Sequence, residues 1–217
     1  MQLDFFDQTA NTIFGAKTYE EFRAAFLKAG CTKCRLSQSR TNLVLDRGNP
    51  QAKVVLIGEG PGADEDAQGQ AFVGRAGQLM DRLFRAVGVD TNRDCLILNV
   101  VKCRPPENRQ PMTDEAETCL PYLKKQLELV QPKLLVFLGA TAVKHALGRK
   151  DLESMESVVG QFFTAPSYPG ATLLILYHPA FILRDPRKQP VFEQHLRALK
   201  DYLVRERLLA VCGPVTP

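Results

Sequence analysis

The sequence has no apolar run long enough to cross a membrane. Its longest, LLVFLGATAV and TLLILY, stop well short of the roughly 20 residues a spanning helix needs. The first residues, MQLDFFDQ, lack the basic segment followed by an apolar one that marks an export signal, so a cytoplasmic protein is expected. That expectation removes the secreted disulfide scaffold as an account of the six cysteines. Repeats and low-complexity stretches are missing too, and so is a strong excess of one charge: 28 Lys and Arg face 24 Asp and Glu, a net +4. Basic residues do gather at Arg35/Arg40, Lys102/Arg104/Arg109 and Arg184/Arg187/Lys188. Such clusters permit a polyanionic partner, although solvated surface charge explains each of them as well. What is there, 45% hydrophobic and 24% charged residues in 217, is the make-up of a single globular domain. That domain is expected over residues 1–209, with a Pro/Gly-containing flexible tail at 210–217.

Strand and helix patterns alternate. Thr18 with Glu21 forms a capping box before an amphipathic helix through Lys28, closed by Gly30. VVLI (54–57), CLILNVV (95–101), KLLVFLG (133–139) and ATLLILYHP (171–179) read as buried strands, with a weaker one in VVGQFF. Helices are expected in GQLMDRLFRAV (77–87), from a Thr113 cap to about Val130, in ATAVKHALG, and after the last strand through about Leu208. This alternation implies a parallel sheet with helices on both faces, whose site lies at the C-terminal ends of the strands. Three strands there run into polar loops, GEGPG, NVVKCRPPENRQP and YHPAF, which should converge on one cleft.

The first of these loops satisfies GxGxxG/A through Gly58, Gly60 and Ala63, and Asp81 stands where a ribose-binding acid would. A dinucleotide is nevertheless a poor fit. Pro61 interrupts the motif, and Asp64, Glu65 and Asp66 follow where a pyrophosphate needs backbone N–H groups and positive potential. Glycines that admit a ligand close to the backbone, beside acids that handle water or a developing positive charge, suit hydrolysis through a cationic transition state at an anomeric carbon. Among the cysteines, Cys31 and Cys34 form CxxC, and Cys103 and Cys119 lie far along the chain. Four thiolates from two segments could hold structural zinc or an iron–sulfur cluster, and spacing does not decide between them. Cys95, inside a strand, reads as an unpaired buried thiol, and Cys212 is left over.

GEGPGADED, AFVGRAGQLMD, LNVVKCRPPENRQP with a later cysteine, LGATA and YHPAFILR, together with the early CxxC, resemble the iron–sulfur (family 4) uracil-DNA glycosylases from Cys31 to Leu199. The resemblance implies a three-layer α/β/α fold around a four-stranded parallel sheet, and a [4Fe-4S] cluster on Cys31, Cys34, Cys103 and Cys119. It implies a monomeric, monofunctional enzyme that flips uracil out of single- or double-stranded DNA, cleaves its N-glycosidic bond and leaves an abasic site for downstream repair enzymes. Gly58, Glu59, Gly60, Phe72, Asn99 and His178 would form the uracil pocket. Phe72 would stack on the base, Asn99 would read N3–H and O4, and His178, held extended before Pro179, would meet O2. Phe72 as an ordinary core aromatic and Asn99 as a strand-end turn residue are equally good local readings.

In the best-known uracil-DNA glycosylases a GQDPY motif places a water-orienting aspartate and a methyl-excluding tyrosine where this chain has Gly60 and Gly62. Water activation is therefore assigned to Glu59, with Glu65 and Asp66 as second choices, and the DNA backbone to Lys102, Arg104 and Arg184. A related subgroup that traps abasic DNA carries a KRRIH insertion that this chain lacks, so turnover is expected. A binding module of the same fold without activity, a covalent abasic-site-trapping relative and a nucleotide-binding oxidoreductase are the alternatives.

Overall fold

The structure, a computed structural model, describes residues 12–148 and 154–209, so the expected tail and Cys212 lie outside the described residues. Six strands make one sheet: β1 (Arg47–Gly48), β2 (Val54–Gly58), β3 (Leu96–Asn99), β4 (Leu134–Leu138), β5 (Phe162–Phe163) and β6 (Thr172–Leu176), in the order β1-β3-β2-β4-β6-β5. The middle four are parallel, as the apolar runs predict. Two-residue strands add an antiparallel pairing at each edge, β1 on β3 and β5 on β6. Gly48 makes the first of these possible: with φ +98° it passes so close that a Cβ there would stand 2.3 Å from the Cys95 carbonyl oxygen.

Side chains of the central strands alternate between two cores, which is why their sequence shows continuous apolar runs. Val55, Ile57, Leu96, Leu98, Leu135, Phe137, Leu173 and Ile175 face one side. There they meet α1 (Tyr19–Ala29), α4 (Thr113–Val130) and α5 (Ala140–Ala146). Val54, Leu56, Ile97, Leu134, Val136, Leu138, Leu174 and Leu176 face the other. They pack on α3 (Arg75–Ala86) and α7 (Gln189–Arg205). Short helices α2 (Ala63–Gln68) and α6 (Pro179–Arg184) lie in the connections at the strands' C-terminal ends. The chain runs from β2 to β3 on one side and then crosses to β4 on the other, so the sheet reverses direction at β2 and leaves a crevice beyond its carboxyl end.

The Thr18–Glu21 capping box forms, and Gly30 closes α1 in the left-handed conformation. Two expectations are corrected. Thr113 is the first helical residue of α4, and Met112 is the cap, because the Glu115 carboxylate reaches back to the Met112 N–H at 2.8 Å. The last helix is split in two, because Asp185 precedes Pro186 and is driven to an extended conformation (φ −130°, ψ 82°).

Candidate active site

Beyond the C-terminal ends of the parallel strands lies a cavity of about 650 Å³, lined by residues of all three polar loops. Glu59 follows β2, Asn99 ends β3, Gly139 to Thr141 follow β4, and Tyr177 and His178 follow β6. Phe72 comes from the connection between α2 and α3, and its ring lies 5.5 Å from the imidazole of His178. Phe72 has φ 56°, an uncommon conformation for an aromatic residue and one that costs free energy locally. Two glycines make its placement possible. A Cβ at Gly77 would lie 1.7 Å from the Phe72 carbonyl oxygen, and a Cβ at Gly58 would lie 2.5 Å from both the Phe72 ring and Asn99 Oδ1. Gly58 therefore does not line the cavity itself: it makes room for the two side chains that do. Gly60 does line it, packed so closely that a Cβ would meet Val101 at 2.7 Å.

Asn99 is buried in the cavity wall, and its Oδ1 has no hydrogen-bond partner. Such an atom is costly in a folded protein unless a ligand or water completes it. His178 presents the opposite polarity. Its Nδ1 accepts from the Ala180 backbone N–H at 3.1 Å, which leaves the proton of the neutral ring on Nε2. Burial, and secondarily Arg184, lower its pKa to about 4, so the ring is a neutral donor at physiological pH. Glu59 lines the same crevice. Burial raises its pKa, opposed by a hydrogen bond with Thr141 and by the charge of Arg184, and both of these residues line the same cavity.

Two further acids of the glycine-rich loop serve the fold. Glu65 touches the cavity, yet its two oxygens accept from the N–H groups of Gly62 (3.1 Å) and Gly74 (2.7 Å), clasping the loop shut. Asp66, assigned from sequence to water or sugar-cation chemistry, is turned away: it is 3% exposed and accepts from the backbone of Thr41 and Asn42. Asp81 forms a two-pronged ion pair with Arg47 at 2.7 and 2.8 Å and accepts from Thr91, so it is no ribose ligand. Carboxylates follow these glycines because two of them latch the loop, and one, Glu59, faces the cavity.

The basic clusters are corrected in the same way. Lys102 is fully buried and donates to the Asn99 carbonyl at 2.7 Å, out of reach of a DNA backbone. Arg35 pairs with Asp114, Arg109 with Glu115 and Arg187 with Asp185. Arg104 donates to Asn108 in its own loop. Arg184, in the cavity wall, belongs to no ion pair among the described residues. Sequence reasoning missed Thr141, Tyr177, Phe181 and Arg109 as wall residues. YHPAF contains two of them, but nothing in that string says that their rings turn toward the cleft.

Cys31, Cys34, Cys103 and Cys119 line a second, small cavity with Phe26, Leu43, Lys102 and Tyr122. Arg40 donates to Cys103 Sγ (3.1 Å), to the Cys31 carbonyl (2.6 Å) and to the Gly30 carbonyl (3.1 Å). Burial pushes the thiols of Cys34, Cys103 and Cys119 up, the last to about 12. Four sulfurs that share one largely apolar cavity, three of them with thiols pushed up by burial, fit a group that supplies compensating positive charge. Among the described residues no three His, Cys, Asp or Glu side chains are drawn together as a single ion would hold them. Cys95 is a buried thiol in the opposite core, with a raised pKa.

Compared with known proteins, residues 45–201 match the uracil DNA glycosylase superfamily. The match takes in every cavity residue and Cys103 and Cys119, but not the CxxC pair. The chain is similar to a type-4 uracil-DNA glycosylase of Saccharolobus solfataricus, 39% identical over 80% of this chain and 82% of that one. It is similar to a type-4 uracil-DNA glycosylase of Thermotoga maritima at 41% over 71% and 79%. Similarity to a type-5 uracil-DNA glycosylase of Pyrobaculum aerophilum is lower, 30% over 61% and 63%.

Proposed function

We propose, since the chain belongs to the uracil-DNA glycosylase superfamily, that it releases uracil from DNA by hydrolysing the N-glycosidic bond. The observation that carries this is the pairing, in one cavity, of the partnerless acceptor Asn99 Oδ1 with the neutral donor His178 Nε2–H. Uracil offers the complement: an N3–H donor beside an O2 acceptor. A base inside a duplex is out of reach, so the nucleotide is swung out at a cost of a few kcal/mol. Stacking on Phe72 offsets part of that cost.

As the bond from N1 to the sugar breaks, its electron pair leaves with the base, and negative charge grows on uracil O2. The His178 N–H meets that charge while remaining neutral, as a preorganised donor does in an oxyanion hole. The sugar becomes cationic, and the ionised Glu59 carboxylate stabilises it and orients the attacking water. Water oxygen bonds to the anomeric carbon and Glu59 takes the proton, which completes hydrolysis to free uracil and an abasic site. The raised pKa of Glu59 suits it to this role. Arg184 at the cavity wall neutralises a flanking phosphate.

The four cysteines are the ligands of a [4Fe-4S] cluster, supported by their shared cavity and by the type-4 relatives. When bound, the cluster cross-links the segment at 31–34 to the loop after β3 and contributes folding energy. The protein acts as a cytoplasmic monomer and passes abasic DNA to downstream repair enzymes. The test is incubation with single-stranded DNA carrying one uracil, followed by alkali. Cleavage at the uracil alone is expected, whereas intact DNA, or a protein–DNA adduct that survives denaturation, would overturn turnover. Purified protein should be brown and carry about four irons per chain. Colourless, zinc-loaded protein of full activity would refute the cluster.

A further inference from the structure

Lys102 is unused by the chemistry above, and among the described residues it is the only lysine in the set of largest fully buried side chains. An ammonium in that position is expensive unless it is partnered, and an apolar residue of the same length would pack there at less cost. Its Nζ donates to the backbone carbonyl of Asn99 at 2.7 Å, three residues upstream. Lys102 also lines the cavity that holds the four cysteines. Cys119, Asp46 and Cys103 are the titratable groups near the lysine, and its own backbone N–H bonds the Cys119 sulfur. Its carbonyl in turn accepts from Val44 N–H at 2.9 Å, fixing the turn after β3. The neighbouring Val100 and Val101 amides bond the carbonyls of Gly58 and Glu59, so this turn also sets the position of the glycine-rich loop.

We propose that Lys102 is a positioning residue: its buried ammonium ties the Asn99 carbonyl to the cysteine corner, so that the base-reading amide and the thiolate site are held by one side chain. This rests on the reading of Asn99 as the group that meets uracil N3–H. The lysine has three N–H donors. One fixes the peptide from which the Asn99 side chain springs, and the positive charge adds to that of Arg40 beside the cysteine sulfurs. Removing the ammonium leaves the Asn99 carbonyl unsatisfied, and the carboxamide loses its fixed aim on the base.

The experiment compares iron-loaded wild type, Lys102→Met, Lys102→Gln and Asn99→Asp. The readouts are single-turnover uracil release, KM for uracil-containing DNA, iron content and the reduction potential of the cluster. Lys102→Met should keep its iron and its KM within ~3-fold, release uracil at least ~10-fold more slowly, and hold a cluster that is harder to reduce because a nearby positive charge is gone. Lys102→Gln, which keeps an N–H donor but no charge, should recover most of the rate while its cluster stays harder to reduce. Wild-type release, or an unchanged potential, in folded Lys102→Met overturns the proposal. Where the Met variant does not accumulate as iron-loaded protein, Lys102→Gln is judged on its potential alone, and failure of both variants to fold assigns Lys102 to the fold and also overturns it. Failure of the underlying reading is distinguishable, because Asn99→Asp would then release uracil at the wild-type rate whatever the Lys102 variants do.

Discussion

The base cavity and the cysteine corner lie on either side of the turn after β3, and they treat their polar groups in opposite ways. In the cavity, Asn99 Oδ1 is left without a partner, and Nε2 carries the His178 proton because Nδ1 is occupied. In the corner, Arg40 distributes its guanidinium over two carbonyls and a sulfur. A site for a transient ligand keeps its working atoms free and restrains the side chains through their other atoms. A site for a permanent group is wrapped by partners that stay.

If that contrast is right, substitutions in the cavity should change rate and spare stability, and the largest effects should come from its free groups. Glu59→Gln and His178→Ala should each slow uracil release at least ~100-fold in single-turnover assays, with binding to uracil-containing DNA largely preserved. Wild-type rates in either variant would break the comparison at once. Asn99→Asp should come next. It removes the donor to O4 and supplies a carboxyl group able to accept from a 4-amino group, so uracil release should fall by ~10-fold or more, with a faint release of cytosine. Assays on oligonucleotides carrying either base decide this.

pH sharpens the comparison further. Glu59 works ionised, and burial raises its pKa, so the rate should climb with pH along an acid limb centred above the ordinary glutamate range, and Glu59→Gln should lack that limb. His178 enters through stability. Its folded pKa of about 4 lies below the ordinary histidine value, so between the two the unfolded chain binds more protons. Stability should therefore rise with pH across that window and be lost as pH falls through it, a slope that His178→Asn flattens in denaturant titrations. Smallest on catalysis should be Glu65→Gln, six residues from Glu59. It loses a charged clasp on two backbone donors and should lower stability by about 1–2 kcal/mol while leaving the rate per folded molecule nearly unchanged.

Much of this was legible in the sequence. The four parallel strands announced themselves because both faces of each are buried, and the Thr18–Glu21 box because its two hydrogen bonds are local. Asn99 and His178 were pointed to by the family resemblance, and each stands where an apolar run gives way to a polar loop. Strand β1 could not be seen, since two residues carry no periodicity and its pairing is imposed by the neighbouring strand, whereas β5 is the last two residues of the weaker strand expected in VVGQFF. Glu65, Asp66 and Lys102 were misassigned for one reason. A charged residue near a loop looks functional until its partners are known, and those partners, Gly74, Thr41 and the Asn99 carbonyl, include groups up to 25 residues away. The positive φ of Phe72 had a faint signature in Gly77, but a glycine inside a helical pattern does not say what it is making room for.

The close approach of Gly58 and Gly77 to Phe72 also gives the pocket an uneven capacity for change. On that side no side chain can be enlarged without displacing the aromatic floor, so mutation there destroys before it diversifies. Ala76, Ala140 and Ala180 also line the same space and carry small side chains. Selection for a different damaged base, in nature or in the laboratory, therefore has a fixed floor and an adjustable ceiling, and a library confined to those three alanines would sample new specificities without spending variants on the rigid half.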